Sequence, residues 1–303
     1  MVNDTPHIPA IQRIEALSRR DPGGRGLAGL AKTGGLLSAA QSLLSGRRTI
    51  VATGFCIRSA RVGETDGPSG ALALADALRR IGQEVVLVSD HFSSALLSVG
   101  ATRFGSPFPM VILSQAQNEA DQAIQALLAD FAPTHVIAVE RPGSAIDGHR
   151  YSMRGEMLDD LVPAADRLLE PGFPRPYATI AIGDGGNELG LGSLRQALKD
   201  RITHGELIFC ATAADHVIPA GISNWGAFAL VATLSLLTGQ RLLRPVVHEH
   251  TVLESLVSAG AVDGCTRKNE ISVDGIAWPD YANIIAEIYR EIETLPEGPI
   301  STP

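Results

Sequence analysis

Residues 49–90 read TIVATGFCIRSARVGETDGPSGALALADALRRIGQEVVLVSD, and this stretch decides the fold. It opens on a continuous apolar run, TIVATGF (49–55), and closes on another, EVVLVSD (84–90). Between them, ALALADALRRIG (71–82) carries apolar residues at helical spacing. A strand buried on both faces reads as an unbroken apolar run, and two such strands joined through a helix lie parallel in one sheet. Working outward, strand-like runs recur at PMVILS (109–114), HVIAVE (135–140), YATIAIGD (177–184) and ELIFC (206–210). Helical patterns fill the gaps at QAQNEADQAIQALLADF (115–131), RGEMLDDLVPAADRLL (154–169) and ELGLGSLRQALKD (188–200). The alternation predicts an α/β fold: an open, doubly wound, mostly parallel sheet with helices on both faces. Ligands of such sheets bind beyond the carboxyl ends of the strands.

The first 46 residues read differently. Ile8, Ile11, Ile14 and Leu17 recur at helical spacing, Asp21-Pro22-Gly23-Gly24 breaks the run, and a second leucine-rich stretch ends near Gly46. Residues 1–46 are expected to form an N-terminal helical segment packed on the body, with 1–303 a single α/β domain. The chain has 25 Lys+Arg against 33 Asp+Glu, a net charge of −8, and no basic run, which argues against nucleic acid or a membrane surface as a partner. Cys56, Cys210 and Cys265 lie far apart, with no CxxC pair, which disfavours a thiolate zinc site and a disulfide framework. The start, MVNDTPHIPAIQR, has neither the basic residues nor the apolar stretch of a signal peptide. The apolar segment WGAFALVATLSLLTG (225–239) falls short of the ~20 residues of a membrane span and reads as a buried helix. A soluble cytoplasmic protein, with homo-oligomerisation left open, is the expectation.

The strand ends carry the chemistry. TGF (53–55) is soon followed by ETDGPSG (64–70); the next strand ends in Asp90, the next in ERPG (140–143), the next in GDGGNELG (183–190), and the last is followed by Asp215. An acidic rim is therefore expected on one edge. In GDGGNELG, glycines flank Asp184 and Asn187 between a strand and a helix, so the backbone can approach a ligand and free amides could hold a carboxylate. The same loop could be only a tight turn with Asn187 as helix cap. It is not a GxGxxG fingerprint, and no GxxxxGK[ST] occurs, so dinucleotides and P-loop nucleotides lose support. In ETDGPSG, Glu64 or Asp66 could act on substrate, with Pro68 opening a helix. Arg141 could pair with a substrate carboxylate or neutralise a rim acid. Asn224 could cap a helix or contact substrate. The weaker candidates are His248-Glu249-His250, read with strand-like spacing, and His91, His149 and Cys56.

These loops resemble the D-glutamate cyclase family. The resemblance is carried by TGF (53–55), ETDGPSGA (64–71), ERPG (140–143), YSMRGE (151–156), IGDGGNELGLG (182–192), Ala214-Asp215, SNWGAFAL (223–230) and VDG at 262–264 and 273–275. It implies conversion of D-glutamate to 5-oxo-D-proline and water, a carbon–oxygen hydro-lyase reaction. The amine must lose a proton to a base, and hydroxide is a poor leaving group, so a raised-pKa acid or a metal must assist its departure. On this reading Asp184 or Glu188 is the base, and Asp66 with Glu64 activates the γ-carboxyl. Thr53, Gly54, Gly67, Glu140, Arg141, Gly185, Gly186, Asn187 and Asn224 are the expected substrate contacts. No cofactor is required, but a divalent metal on Asp66, Asp184 and Glu188 is left open, to offset repulsion between an acidic rim and a dicarboxylate. The alternatives are a metal-dependent enzyme acting on a phosphorylated small molecule and a non-catalytic small-molecule-binding protein.

Overall fold

The computed structural model describes residues 7–170 and 176–299. The N-terminal segment folds into α1 (Ile8–Ser18), α2 (Leu27–Leu30) and α3 (Gly35–Leu43); its first six residues lie outside the described ones. Next come β1 (Arg48–Thr53), the short strands β2 (Cys56–Ile57) and β3 (Val62–Gly63), then α4 (Pro68–Arg80) and β4 (Glu84–Asp90). The chain continues through α5 (His91–Ala101), β5 (Met110–Leu113), α6 (Gln117–Phe131), β6 (His135–Val139) and β7 (Ala178–Gly183). It closes with α7 (Gly192–Leu198), α8 (Gly205–Ile208), β8 (His216–Pro219), α9 (Ser223–Thr238), α10 (Val246–Ser258), β9 (Ser272–Val273), β10 (Ile276–Ala277) and α11 (Trp278–Arg290).

Six strands form one parallel sheet in the order β5-β4-β1-β6-β7-β8. From β1 the chain winds outward through β4 to β5, then returns to β6 and winds the other way through β7 to β8. Strand order therefore reverses between β1 and β6, and a crevice opens beyond their carboxyl ends. Side chains alternate across the sheet with the period of a strand. Ile50, Ala52, Val136 and Ala138 pack on one face with Ala120 and Ile124 of α6. Val51, Ile137 and Val139 pack on the other with α4, α9 and the N-terminal residues Ile11, Ile14 and Leu36.

Helix α9 is apolar on all sides because it is enclosed on all sides: fourteen of its sixteen residues are buried, which is core packing. Among the described residues no helix is long and apolar enough to cross a membrane. The three cysteines are unpaired.

Several expectations need correction. Residues 154–169 form no long helix, only a 3₁₀ turn at Asp166–Leu168. Pro163 interrupts the pattern, and the segment's carbonyls serve other elements: Val162 O accepts from Arg150, Pro163 O from Arg141 and Ala164 O from Gln117. ELIFC supplies α8 instead of a strand, since so short an apolar run cannot distinguish a strand from one helical turn. The sixth strand is HVIP, His216–Pro219. Asp215 lies at the amino edge of the sheet, where Thr179 donates to it through both N and Oγ1, and so leaves the rim. His248-Glu249-His250 is helical, and of the three it is Glu249 that is buried.

Candidate active site

Four loops and the start of α9 converge at the crevice. Asp66 ends the β3–α4 loop; its Oδ1 accepts from Gly67 N (3.0 Å) and Asn224 N (2.8 Å), and its Oδ2 from Ser223 N (2.9 Å). It thereby caps α9. Asn224 returns the service to α4: its Oδ1 accepts from Gly67 N (3.0 Å) and Gly70 N (2.7 Å), while its amide donates to Thr65 O. Asn224 thus caps α4 and not the helix it opens. Glu140 follows β6 with φ +44, a left-handed conformation a glutamate seldom adopts. Ser223 Oγ donates to its Oε2 at 2.5 Å.

The GDGGNELG loop divides its two acids. Glu188 turns back and takes the amides of Asp184 (3.1 Å), Gly185 (2.7 Å) and Gly186 (2.6 Å), so both its oxygens hold the loop and those amides are not free for a ligand. Asn187 is no helix cap, since α7 starts at Gly192; its amide donates to Tyr151 O (2.8 Å) and its Oδ1 is buried without a partner. Asp184 keeps a carboxylate in the crevice, with Oδ2 buried and unpartnered. Ligand atoms of Asp66, Glu140 and Asp184 all lie within 4.8 Å of one another. Glu140 thus takes the place expected of Glu188 in the one such cluster among the described residues, an oxygen donor set that suits magnesium, manganese or calcium better than zinc.

Arg141 is committed elsewhere. Its guanidinium pairs with Asp90 and donates to Gly54 O (3.2 Å) and Pro163 O (3.0 Å), fixing three loops beneath the rim. Thr53 closes β1 with its hydroxyl buried and unpartnered. His149 pairs with Asp159 (2.6 Å) and His91 packs edge-on against Phe92, with neither in the cluster.

Two residues enter that sequence reasoning missed. Arg25, in the loop between α1 and α2, pairs with Asp184 and, at 2.5 Å, with Asp274. Asp274 belongs to the second VDG block, which the resemblance quoted but no role followed; nothing in the spacing pointed to Arg25. The first VDG block fastens the same loop: Asp263 accepts from Cys265 N, Thr266 N, Ser272 Oγ and Gly275 N. Its Gly264 is required by contact, because a Cβ there would stand 1.7 Å from Glu64 Oε2. YSMRGE straps this loop from outside, Arg154 donating to Gly264 O and Cys265 O.

Glu64, Asp66, Glu140, Asp184 and Asp274 are all buried. Burial disfavours the charged carboxylate and neighbouring acids add to this. Asp66 is pushed up to about 8 by burial and Asp274, against the opposing help of the Asn224 amide and Arg25. Glu64 and Glu140 are raised well above the ordinary carboxylate range, by burial first and then by adjacent acids. Asp184 is raised too, by burial, although Arg25 pulls against the rise. Burial opposes the charge on Arg25, but Asp184 and Asp274 outweigh it and keep the guanidinium protonated.

A family model described as D-glutamate cyclase-like, C-terminal, matches residues 14–289. A Homo sapiens protein named D-glutamate cyclase, mitochondrial, is 34% identical over 239 residues, which cover 75% of this chain and 39% of the human one. The matched region therefore spans about two fifths of that relative's length. From Ile14 to Tyr289 the match takes in every loop that builds the acidic crevice, and the chain belongs to the D-glutamate cyclase-like, C-terminal family.

Proposed function

We propose that this chain is a hydro-lyase that cyclises D-glutamate to 5-oxo-D-proline and water. The observation that carries the reading is the buried group of Asp66, Glu140 and Asp184 at the sheet's switch point, with Arg25 as its counter-charge. The reaction forms a bond between the α-nitrogen and Cδ and breaks one Cδ–O bond. The ammonium gives up two protons, and the departing oxygen needs two to leave as water. The chemistry is thus a transfer of protons from nitrogen to oxygen within one folded substrate, with no net proton taken from solvent. Carboxyl groups that hold protons near neutral pH serve both ends: one ionised member accepts from the amine, one protonated member donates to the leaving oxygen. Asp184, with a free buried oxygen, is assigned the base. Glu140, linked to Ser223, is assigned the acid. Asp66, spent on three amides, holds the two helix starts and supports the shared charge.

Holding the substrate curled supplies much of the rate, because attack within one molecule needs no second reactant. Arg25 supplies positive charge at the cluster; a divalent ion on the same three carboxylates would supply more and polarise the γ-carboxyl. A phosphorylated substrate fits less well, since five buried acids against one guanidinium repel a phosphate. The test is to incubate purified protein with D- and L-glutamate, with and without chelator, and to follow loss of one water by mass. Lactam from the D isomer is the expected product. No lactam under any of these conditions would sink the reading.

A further inference from the structure

In the GDGGNELG loop, where the sequence pointed to free amides, Gly185 and Gly186 are spent on Glu188; at the starts of α4 and α9 the amides of Gly67 and Gly70 are spent on Asn224 and those of Ser223 and Asn224 on Asp66. Arg141 is buried against Asp90. The cation that pairs directly with the acids of the crevice is Arg25. Its side chain is 17% exposed, more than those of Asp184 (0%) and Asp274 (5%) with which it pairs. The aspartates on which it rests, Asp184 and Asp274, each bond it through Oδ1 and each leave Oδ2 buried with no partner. Buried acceptors without donors are costly, and these two, beside one cation, can each accept an N–H group. A guanidinium fills one oxygen of each; a substrate ammonium brings three donors that can turn toward both pairs.

We infer that Arg25 is the receptor for a substrate carboxylate and engages it by exchanging partners. With no substrate its guanidinium neutralises Asp184 and Asp274. An amino dicarboxylate replaces both halves of this ion pair, its ammonium taking the guanidinium's place on the aspartates and a carboxylate taking the aspartates' place on Arg25. The two ion pairs of the resting site become three, the ammonium on each aspartate and the carboxylate on Arg25, so neither the aspartates nor the arginine is left uncompensated in the buried site. The backbone is arranged for a swing of the side chain alone. Asp21 holds Arg25 N (3.1 Å) and Gly26 N (2.6 Å), and Gly24 and Gly26 on either side both have positive φ. The remaining contact of the guanidinium is with Cys265 Sγ at 3.5 Å, a weak acceptor that yields readily.

This inference rests on the proposed substrate, and binding measurements separate it from turnover. Calorimetric affinities for D-glutamate, its α-monoamide and its γ-monoamide are compared in the wild type, Arg25→Lys and Arg25→Met. The wild type is expected to prefer D-glutamate over one of the monoamides by about 10- to 100-fold, the worth of a bidentate charge-assisted contact. Arg25→Met abolishes that preference, Arg25→Lys keeps part of it, and added guanidinium ion restores it in Arg25→Met. A purely structural arginine predicts something else: all three ligands weakened by one factor, with the preference intact, and that result overturns the proposal. Binding without lactam formation supports the inference while removing the cyclase reading. Failure of the wild type to bind D-glutamate removes both. Arg25→Lys, which keeps the charge, guards against loss of the fold, and circular dichroism checks it.

Discussion

Asp184 and Glu188 stand four residues apart in one loop and have opposite tasks. Glu188 saturates three amides, whereas Asp184 keeps Oδ2 without a partner. Asp184→Asn should therefore lower turnover at least ~100-fold while the fold survives, since Asp274 still holds Arg25. Glu188→Gln should do the reverse in emphasis. It loses charge-assisted bonds to the loop and should cost about 1–3 kcal/mol of stability. Turnover and thermal melting of the two variants, measured side by side, check this; equal loss of turnover at unchanged melting in both would break the assignment. The sequence made the loop conspicuous, because Asp, Asn and Glu among glycines are more than a turn needs. It could not say which carboxylate turns inward, since that depends on the three amides that only the folded loop presents. The same holds for Arg141, whose neighbours in sequence suggested substrate and whose partners in space are Asp90, Gly54 and Pro163.

At the level of elements, α4 and α9 cap each other: the acid before one closes the amides of the other, and the amide side chain of the second returns the bond. Removing Asn224 leaves Gly70 N buried and orphaned and Gly67 N with Asp66 alone, so Asn224→Ala should destabilise by about 2 kcal/mol. Arg141→Lys belongs to the same class. It should lower the melting temperature, because one ammonium cannot serve Asp90 and two carbonyls in the fork geometry of a guanidinium, while KM stays near the wild-type value. A large rise in KM with unchanged melting would show that Arg141 reaches substrate after all. Four of the six sheet strands were plain from their apolar runs, and PMVILS gave a fifth; α9 was plain from its length and uniform apolarity. The stretch 154–169 was misread because its leucines belong to two separate turns, Leu158 and Leu161 packing into one cluster and Leu168 and Leu169 into another, and ELIFC because five residues carry too little periodicity to separate strand from helix.

The whole molecule brings together groups 249 residues apart, Arg25 and Asp274, through a sheet order that apolar runs alone do not specify. It also buries an acid outside the group that Arg25 pairs with. Glu249 of α10 accepts from Ser69 Oγ and, at 3.0 Å, from Tyr281 Oη. Burial pushes it up to about 7 from an ordinary 4.5, although both hydrogen bonds pull the other way. Its folded pKa is raised, so the folded state holds a proton that the unfolded chain has released between these two values. The stability that goes with this proton is complete below about pH 4.5 and is lost as pH rises toward 7. Three histidines, buried His135 and half-buried His216 and His248, are shifted down by desolvation and contribute with the opposite sign up to their ordinary 6.5. The melting curve of the wild type alone therefore mixes the two effects. Comparison with Glu249→Gln removes the histidines, which are common to both proteins. The glutamine carries no charge to bury, so the variant should gain on the wild type steadily from pH 5 to pH 7, by at most about 3 kcal/mol, and the gap should level off above pH 7. A gap that stays constant across that range would mean that Glu249 is ionised throughout and that its two hydroxyl partners, together with the interior around α9, stabilise the carboxylate better than burial opposes it.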